Sequence, residues 1–256
     1  MAPAVRRAAR AGGGDEAALN ALRRRLASDA RVLRIQDHGA GTRGLAGGAG
    51  RRDERSIAEV YRRAAARPAW GRFLGGLVRE LRPRRVLELG TNLGVSAAHL
   101  ALALAENERE DGFAGHLWTV EGDGGLADLA RGHLAELGVA GRVTVVTGRF
   151  ADVLPELLAS IGPFDMAFVD GHHEEAATLA YWDLMREHLS PGALAIFDDI
   201  EPSRPVRRAW KRIVAAEAPA GARLADLVGL GLLFLPDARA YDVGATPDLQ
   251  LARAGQ

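Results

Sequence analysis

Apolar residues along the chain recur at two spacings, and the two spacings alternate. Short runs suited to strands fall at 84–89, 116–121, 143–147, 164–170 and 193–198, separated by stretches of helical length and composition at 95–105, 125–137, 151–161 and 174–189. Parallel neighbours need crossover connections, so the alternation predicts an α/β fold built on a doubly wound, mostly parallel sheet. After Pro205 a helix is expected to about residue 216, and then apolar runs at 223–228 and 230–235, parted by Gly229, predict a closing hairpin. These two runs bring the sheet to seven strands.

Upstream of the sheet, Leu19, Leu22 and Leu26 stand three and four residues apart and predict a helix to about residue 28, capped by Asp15. Two further helices are expected at 56–66 and 69–81, divided by Pro68, which makes an N-terminal helical extension. Between them, residues 35–52 hold Gly39, Gly41, Gly44, Gly47, Gly48 and Gly50, a content that predicts irregular structure and a flexible loop, either a lid or a linker. Residues 1–14 end in three glycines and are expected to be disordered.

Composition narrows the partners. At 256 residues and 48% hydrophobic content the chain suits one sizeable domain with an appendage. Thirty-three basic residues balance 33 acidic ones, so the molecule as a whole has no bias towards nucleic acid or anionic membrane. Residues 1–34 are locally basic, at net +5 from eight Arg against Asp15, Glu16 and Asp29, which reads as a solvated arm. The absence of cysteine removes thiolate chemistry and disulfides. With neither a signal peptide nor a span of roughly 20 apolar residues, the expectation is a cytoplasmic protein.

Candidate chemistry starts at residues 86–96, where Val-Leu-Glu-Leu ends in a glycine turn and a helix follows at once. Such a turn puts free backbone N–H groups and a positive helix end at the carboxyl edge of a sheet. Glu88 there repels a pyrophosphate and suits an ammonium or hydroxyl. Asn92 replaces the middle glycine of the dinucleotide fingerprint, and no phosphate-loop lysine follows. Acids recur where the other strands end: Glu121-Gly122-Asp123, Asp170-Gly171-His172-His173 and Asp198-Asp199. A carboxylate after the second strand is suited to ribose hydroxyls. Asp170, Asp198 and Asp199 converging from adjacent strands would repel one another unless one stays protonated or a divalent cation, Mg²⁺ or Ca²⁺, sits among them. Histidine beside such acids is a candidate general base.

These motifs form an ordered set, joined by Thr119-Val120-Glu121, by Gly148 with Asp152-Val153-Leu154-Pro155, by 164–172, and by Leu189-Ser190-Pro191-Gly192 leading to Phe197-Asp198-Asp199. From Pro68 to Leu235 the set resembles the class I S-adenosylmethionine-dependent methyltransferases, in particular the catechol O-methyltransferase-like branch and its bacterial small-molecule relatives. The resemblance implies a Rossmann-like methyltransferase domain over 68–240, with an arm, helix and glycine-rich cap at 1–67 and a tail at 241–256. It implies that Glu88, Gly90 and Gly94 hold the methionine part of the cofactor with Ser96 near its carboxylate, that Glu121 binds the ribose, and that Thr91, Gly122 and Gly148 also belong to the cofactor site. Phe150-Ala151 stands where catechol enzymes have the Ser-Gln that faces adenine, so Phe150 would stack on the adenine instead of hydrogen-bonding it. Asp170 would serve both the cofactor side and catalysis, and with Asp198 and Asp199 would hold the metal. His173 stands in place of the usual lysine as the catalytic base, and Asp199 in place of a frequent Asn.

The function expected on this basis is O-methylation of a small-molecule acceptor, with no nucleic acid or membrane partner and with homodimer formation left open. A nicotinamide-dependent oxidoreductase on the same fold is the alternative, opposed by Asn92 and by the Asp198-Asp199 pair. A protein that binds the cofactor without turnover is another.

Overall fold

A computed structural model describes residues 5–8, 16–37, 51–65, 67–227 and 229–237. The glycine-rich stretch 39–50 and the tail 241–256 lie outside the described residues.

Residues 5–8 are helical and bury Ala8 against Gly76, which corrects the expectation of disorder across 1–14, while the expected cap Asp15 lies outside the described residues. The N-terminal part then comprises α1 (Glu16–Ser28), β1 (Val32–Asp37), β2 (Arg51–Ser56) and α2 (Ile57–Ala64). Leu19, Leu22 and Leu26 of α1 are buried, as their spacing requires. The strands correct the expectation of irregular structure throughout 35–52. β1 and β2 pair antiparallel, from Val32 opposite Ser56 to Asp37 opposite Arg51. An ion pair at 2.9 Å joins Arg34 to Glu54 across the ribbon, while Ile35 alternates inward to the core. The all-polar run Arg-Arg-Asp-Glu-Arg-Ser gives no period-two signal, so pairing with β1, rather than its own pattern, makes it a strand. Ser56 ends β2 and caps α2 in a reciprocal box with Glu59, so the helix opens one residue later than expected.

α3 (Pro68–Leu81) starts at the proline itself, which occupies its first turn, where no N–H is needed. The alternating pattern then follows as expected: β3 (Arg85–Leu89), α4 (Val95–Asp111), β4 (His116–Glu121), α5 (Gly124–Glu136), β5 (Val143–Thr147), α6 (Phe150–Ile161), β6 (Phe164–Val169), α7 (Glu175–Met185), β7 (Leu189–Phe197), α8 (Arg204–Glu217), β8 (Arg223–Leu227) and β9 (Leu230–Phe234). α7 stops short of its expected end, and β7 begins four residues early, running through Pro191 and Gly192. The seven-stranded sheet has the order β5-β4-β3-β6-β7-β9-β8. β3 through β7 are parallel, and β9 is antiparallel to both β7 and β8. Strand order reverses on either side of β3, so the carboxyl ends of β3, β4, β6 and β7 surround one crevice.

Strand alternation splits the core into two layers. Val86, Met166 and Phe168 pack on one face of the sheet with α3, α4 and α1, and Leu87, Leu89, Ala167 and Val169 pack on the other with α6, α7 and α8. The N-terminal helix is tied into the first layer by a polar contact. The Arg23 guanidinium of α1 lies 3.0 Å from His99 Nε2 on α4, both groups being buried. The imidazole lies over Gly71 of α3, where a Cβ would come within 2.1 Å of the ring. Burial foremost, then the charges of Arg23, Arg72 and Arg79, push the His99 pKa down to about 3, so the ring is neutral and accepts from the guanidinium. Among the described residues no helix is long and apolar enough to cross a membrane.

Candidate active site

The glycine turn after β3 is held from both sides. Gly90 and Thr91 donate to the Val120 carbonyl at 3.0 and 3.2 Å. Gly90 has φ +107, and a Cβ there would come within 2.0 Å of the Asp170 carbonyl, so only glycine lets β3 and β6 lie this close where they open into loops. Gly94, at φ +79, caps α4 without a side chain and leaves that helix end open.

Glu88 shares the Val86 face of β3 and is fully buried. Its Oε2 accepts from Thr119 Oγ1 at 2.5 Å, and Thr119 lies 2.5 Å from the hydroxyl of Thr91. Ser96 adds a second hydroxyl to the carboxylate, yet Oε1 remains buried without a hydrogen-bond partner. Burial raises the Glu88 pKa to about 7, against the lowering effect of the Thr119 and Ser96 hydroxyls. Thr91 is thus turned into the protein, towards Thr119, while Glu88 keeps an unanswered oxygen. Thr119 is a site residue that sequence reading passes over, since a strand threonine carries no signal of its own.

Glu121 ends β4 and reaches across to the turn. Its Oε2 accepts from the Asn92 amide at 2.7 Å and its Oε1 from the Asp123 amide at 3.0 Å, while Gly122 contributes a further backbone bond. Burial raises its pKa, the backbone amides opposing. The acid expected at the ribose therefore also fixes the glycine turn. Gly148, at φ +153, donates to the Glu121 carbonyl at 2.8 Å and has Val153 where a Cβ would stand. Phe150 opens α6 with its ring against Gly171, and meets Tyr181 edge-on at 5.4 Å. The Tyr181 hydroxyl, which burial holds at a pKa of about 12, lies 2.8 Å from His172 Nδ1. Tyr181 was not legible as a site residue, because its approach to His172 depends on how α7 crosses the loop after β6.

The remaining acids meet where β6 and β7 end. The amides of Asp170 and Asp198 continue the ladder, donating to the Leu89 and Val169 carbonyls at 2.9 and 3.0 Å. His172, His173 and Asp199 all have positive φ, at 66°, 34° and 58°. With Asn92 of the glycine turn, at φ 48°, four non-glycine residues around one crevice lie in this region, which means backbone strain of about 1 kcal/mol or more apiece. His173 stands between two of the acids, Nδ1 at 3.4 Å from Asp199 and Nε2 at 3.9 Å from Asp170. Burial, followed by the charges of Asp198, Asp199 and Glu88, pushes the Asp170 pKa well up. Burial and Asp199 raise Asp198 to about 6, with His173 and Arg67 acting the other way. Asp198 accepts from the Asp199 amide at 2.7 Å, and Asp199 is turned towards His173. In this arrangement Asp170 and Asp199 each present one oxygen to His173, and one Asp198 oxygen accepts from the Asp199 amide. Among the described residues no group of three or more His, Asp and Glu side chains is set to hold a metal ion.

Comparison with known proteins agrees with the fold. Residues 87–200 match a family profile described as a methyltransferase domain. A catechol O-methyltransferase of Niastella koreensis is 29% identical over 176 residues, covering 64% of this chain and 76% of the relative. One from Mycobacterium tuberculosis is 36% identical over 138 residues, covering 54% of this chain and 58% of the relative. Among solved structures, the O-methyltransferase TomG of Streptomyces achromogenes, in complex with S-adenosylmethionine, has a TM-score of 0.56 at 29% identity, covering 67% of this chain and 82% of that one. An O-methyltransferase from Bacillus cereus, at 24% identity and a TM-score of 0.56, shares the fold. These matches favour neither nicotinamide-dependent oxidoreduction nor a non-catalytic role. The matched span runs from within β3 to just past Asp199 and so contains every candidate residue from Glu88 onward; the chain carries a methyltransferase domain similar to those of O-methyltransferases, catechol O-methyltransferases among them.

Proposed function

We propose that this enzyme carries out metal-assisted methylation of a hydroxyl on a small molecule, with His173 as the base. The observation that carries the reading is the placement of His173 between Asp170 and Asp199 at the crevice. With Nδ1–H kept towards Asp199, Nε2 has the free lone pair.

Two groups must be accommodated. The unpartnered Glu88 Oε1 fits the ammonium of the cofactor's methionine part, and each Glu121 oxygen keeps a lone pair for a ribose hydroxyl. For the cation the fit is chemical. Asp170, Asp198 and Asp199 offer hard oxygen donors; burial first, and the neighbouring acids second, raise the pKa values of Asp170 and Asp198, and a divalent cation would offset both costs. When bound, the cofactor supplies a sulfonium methyl and the cation supplies Lewis acidity that lowers the pKa of the acceptor hydroxyl. The chain's part is positioning and proton transfer. Glu88 and Glu121 fix the cofactor at two ends, Phe150 lines the adenine side, and Nε2 of His173 takes the hydroxyl proton. The deprotonated acceptor oxygen would receive the methyl that the cofactor supplies, whose sulfur would leave as a neutral thioether. The names of the catechol O-methyltransferase relatives make catechol the first acceptor to assay.

Thermal unfolding with and without Mg²⁺, alongside turnover with a chelator, tests the metal. Mg²⁺ at a hundred times its dissociation constant should add about 2.7 kcal/mol of stability. Asp198→Asn should shrink that gain, and the chelator should abolish turnover. Full turnover in the chelator would leave the three acids a structural role only.

A further inference from the structure

Asp123 stands where the cofactor loop, α5 and the N-terminal hairpin meet. Its Oδ1 accepts from the Leu126 amide at 2.8 Å, the bond expected of a helix N-cap. Its Oδ2 accepts from the Gln36 amide, also at 2.8 Å, 87 residues away in sequence on β1. Its own amide donates to Glu121 Oε1. The residue is 8% exposed, so these bonds are shielded from water. Capping needs only one acceptor, and the serine caps of α2 and α8 each use a single hydroxyl for the helix. The second oxygen of Asp123 is committed to β1, beside Ile35, the residue that anchors the ribbon in the core.

We infer that Asp123 is a positioning residue that couples the docking of the β1–β2 hairpin to the acid that meets the cofactor's ribose. The inference rests on the proposed role of Glu121. The path is short: β1 amide, Asp123 carboxylate, Asp123 amide, Glu121 carboxylate, and from there the Asn92 amide of the glycine turn. A ribose bound to Glu121 holds that carboxylate still, which fixes the Asp123 backbone and with it the oxygen that receives Gln36. Linkage makes the effect mutual, so a hairpin held in place must tighten the cofactor by the same factor as the cofactor tightens the hairpin.

The test is amide hydrogen exchange on the full chain, with S-adenosylhomocysteine as the probe and its affinity measured by calorimetry. In the wild type, saturation should slow exchange at Gln36 about tenfold, on the scale of one charge-assisted hydrogen bond. Asp123→Asn keeps a good cap for α5 but turns an NH₂ towards the Gln36 amide. It should leave Leu126 protected, abolish the slowing at Gln36, and weaken S-adenosylhomocysteine by about the same tenfold. Gln36→Pro removes the same bond from the other side, at a position whose N–H points away from β2, and should weaken the probe alike. Saturating binding that leaves residues 32–37 unchanged would overturn the coupling. So would wild-type affinity in both variants. No binding by the wild type is a different failure, since it removes the cofactor role of Glu121 on which the inference stands.

Discussion

Glutamine in place of Glu88 is expected to give a protein that is more stable and binds its cofactor worse. The folded state raises this carboxyl from 4.5 to about 7, burial being the main cause. A raised carboxyl pKa means that the folded chain holds the proton more tightly than the unfolded one. Its favourable contribution is complete below about pH 4.5 and is lost as pH rises through about 7. At pH 8 the ionised, fully buried side chain therefore costs stability, by up to about 3 kcal/mol at 1.36 kcal/mol per pKa unit. Glu88→Gln removes that cost, so denaturant unfolding should show a clear gain at pH 8 and almost none at pH 4.5. The same change deletes the charge that would face the ammonium. S-adenosylmethionine should bind more weakly by about 1.5–3 kcal/mol, the range for hydrogen bonds to charged groups. In the wild type, affinity should rise with pH across neutrality as Glu88 ionises. Equal affinity in the variant, with a flat pH profile, would move the ammonium elsewhere.

His173→Ala is expected to lower turnover by roughly 10²–10⁴-fold, the usual yield of general acid–base catalysis. Cofactor affinity should change little, because the contacts given to the imidazole are Asp170 and Asp199 rather than Glu88 or Glu121. A fall in the rate of the single-turnover methyl transfer, with the S-adenosylhomocysteine dissociation constant intact, would place the loss in the chemical step. Full activity would assign the proton to another group, and His172, held by Tyr181, is the nearest alternative.

Different parts of this structure were legible in the sequence to different degrees, for physical reasons. The sheet could be read because parallel strands buried on both faces leave apolar runs that nothing else in the chain imitates. Glu88, Glu121, Asp170 and Asp198 could be read as a set because each ends such a run. The direction of each carboxylate could not. Glu121 turns to backbone amides, and Asp198 and Asp199 turn to an amide and an imidazole, choices made by loops with left-handed residues at His172, His173 and Asp199. The N-terminal ribbon was hidden for another reason. Glycines near its ends dominate the composition, and β2 has no hydrophobic alternation, so its existence depends on a partner rather than on itself. Asp123 reads as a helix cap, and only the folded chain brings Gln36 to its second oxygen.

The burial of His99 under Arg23 bears on where this enzyme can be cut. The matched family span starts at residue 87, and a boundary drawn there, or at Pro68, would look natural to anyone grafting the domain onto another protein. Severed from α1, His99 would lose the donor that answers its ring nitrogen, and the layer that Leu19, Leu22 and Leu26 cover would face water. The ring would also become free to take a proton under mild acidity, a liability the intact chain is spared by holding its pKa at about 3. A transplantable unit therefore begins ahead of α1, since Ala8 is buried against Gly76 of α3 in the same layer.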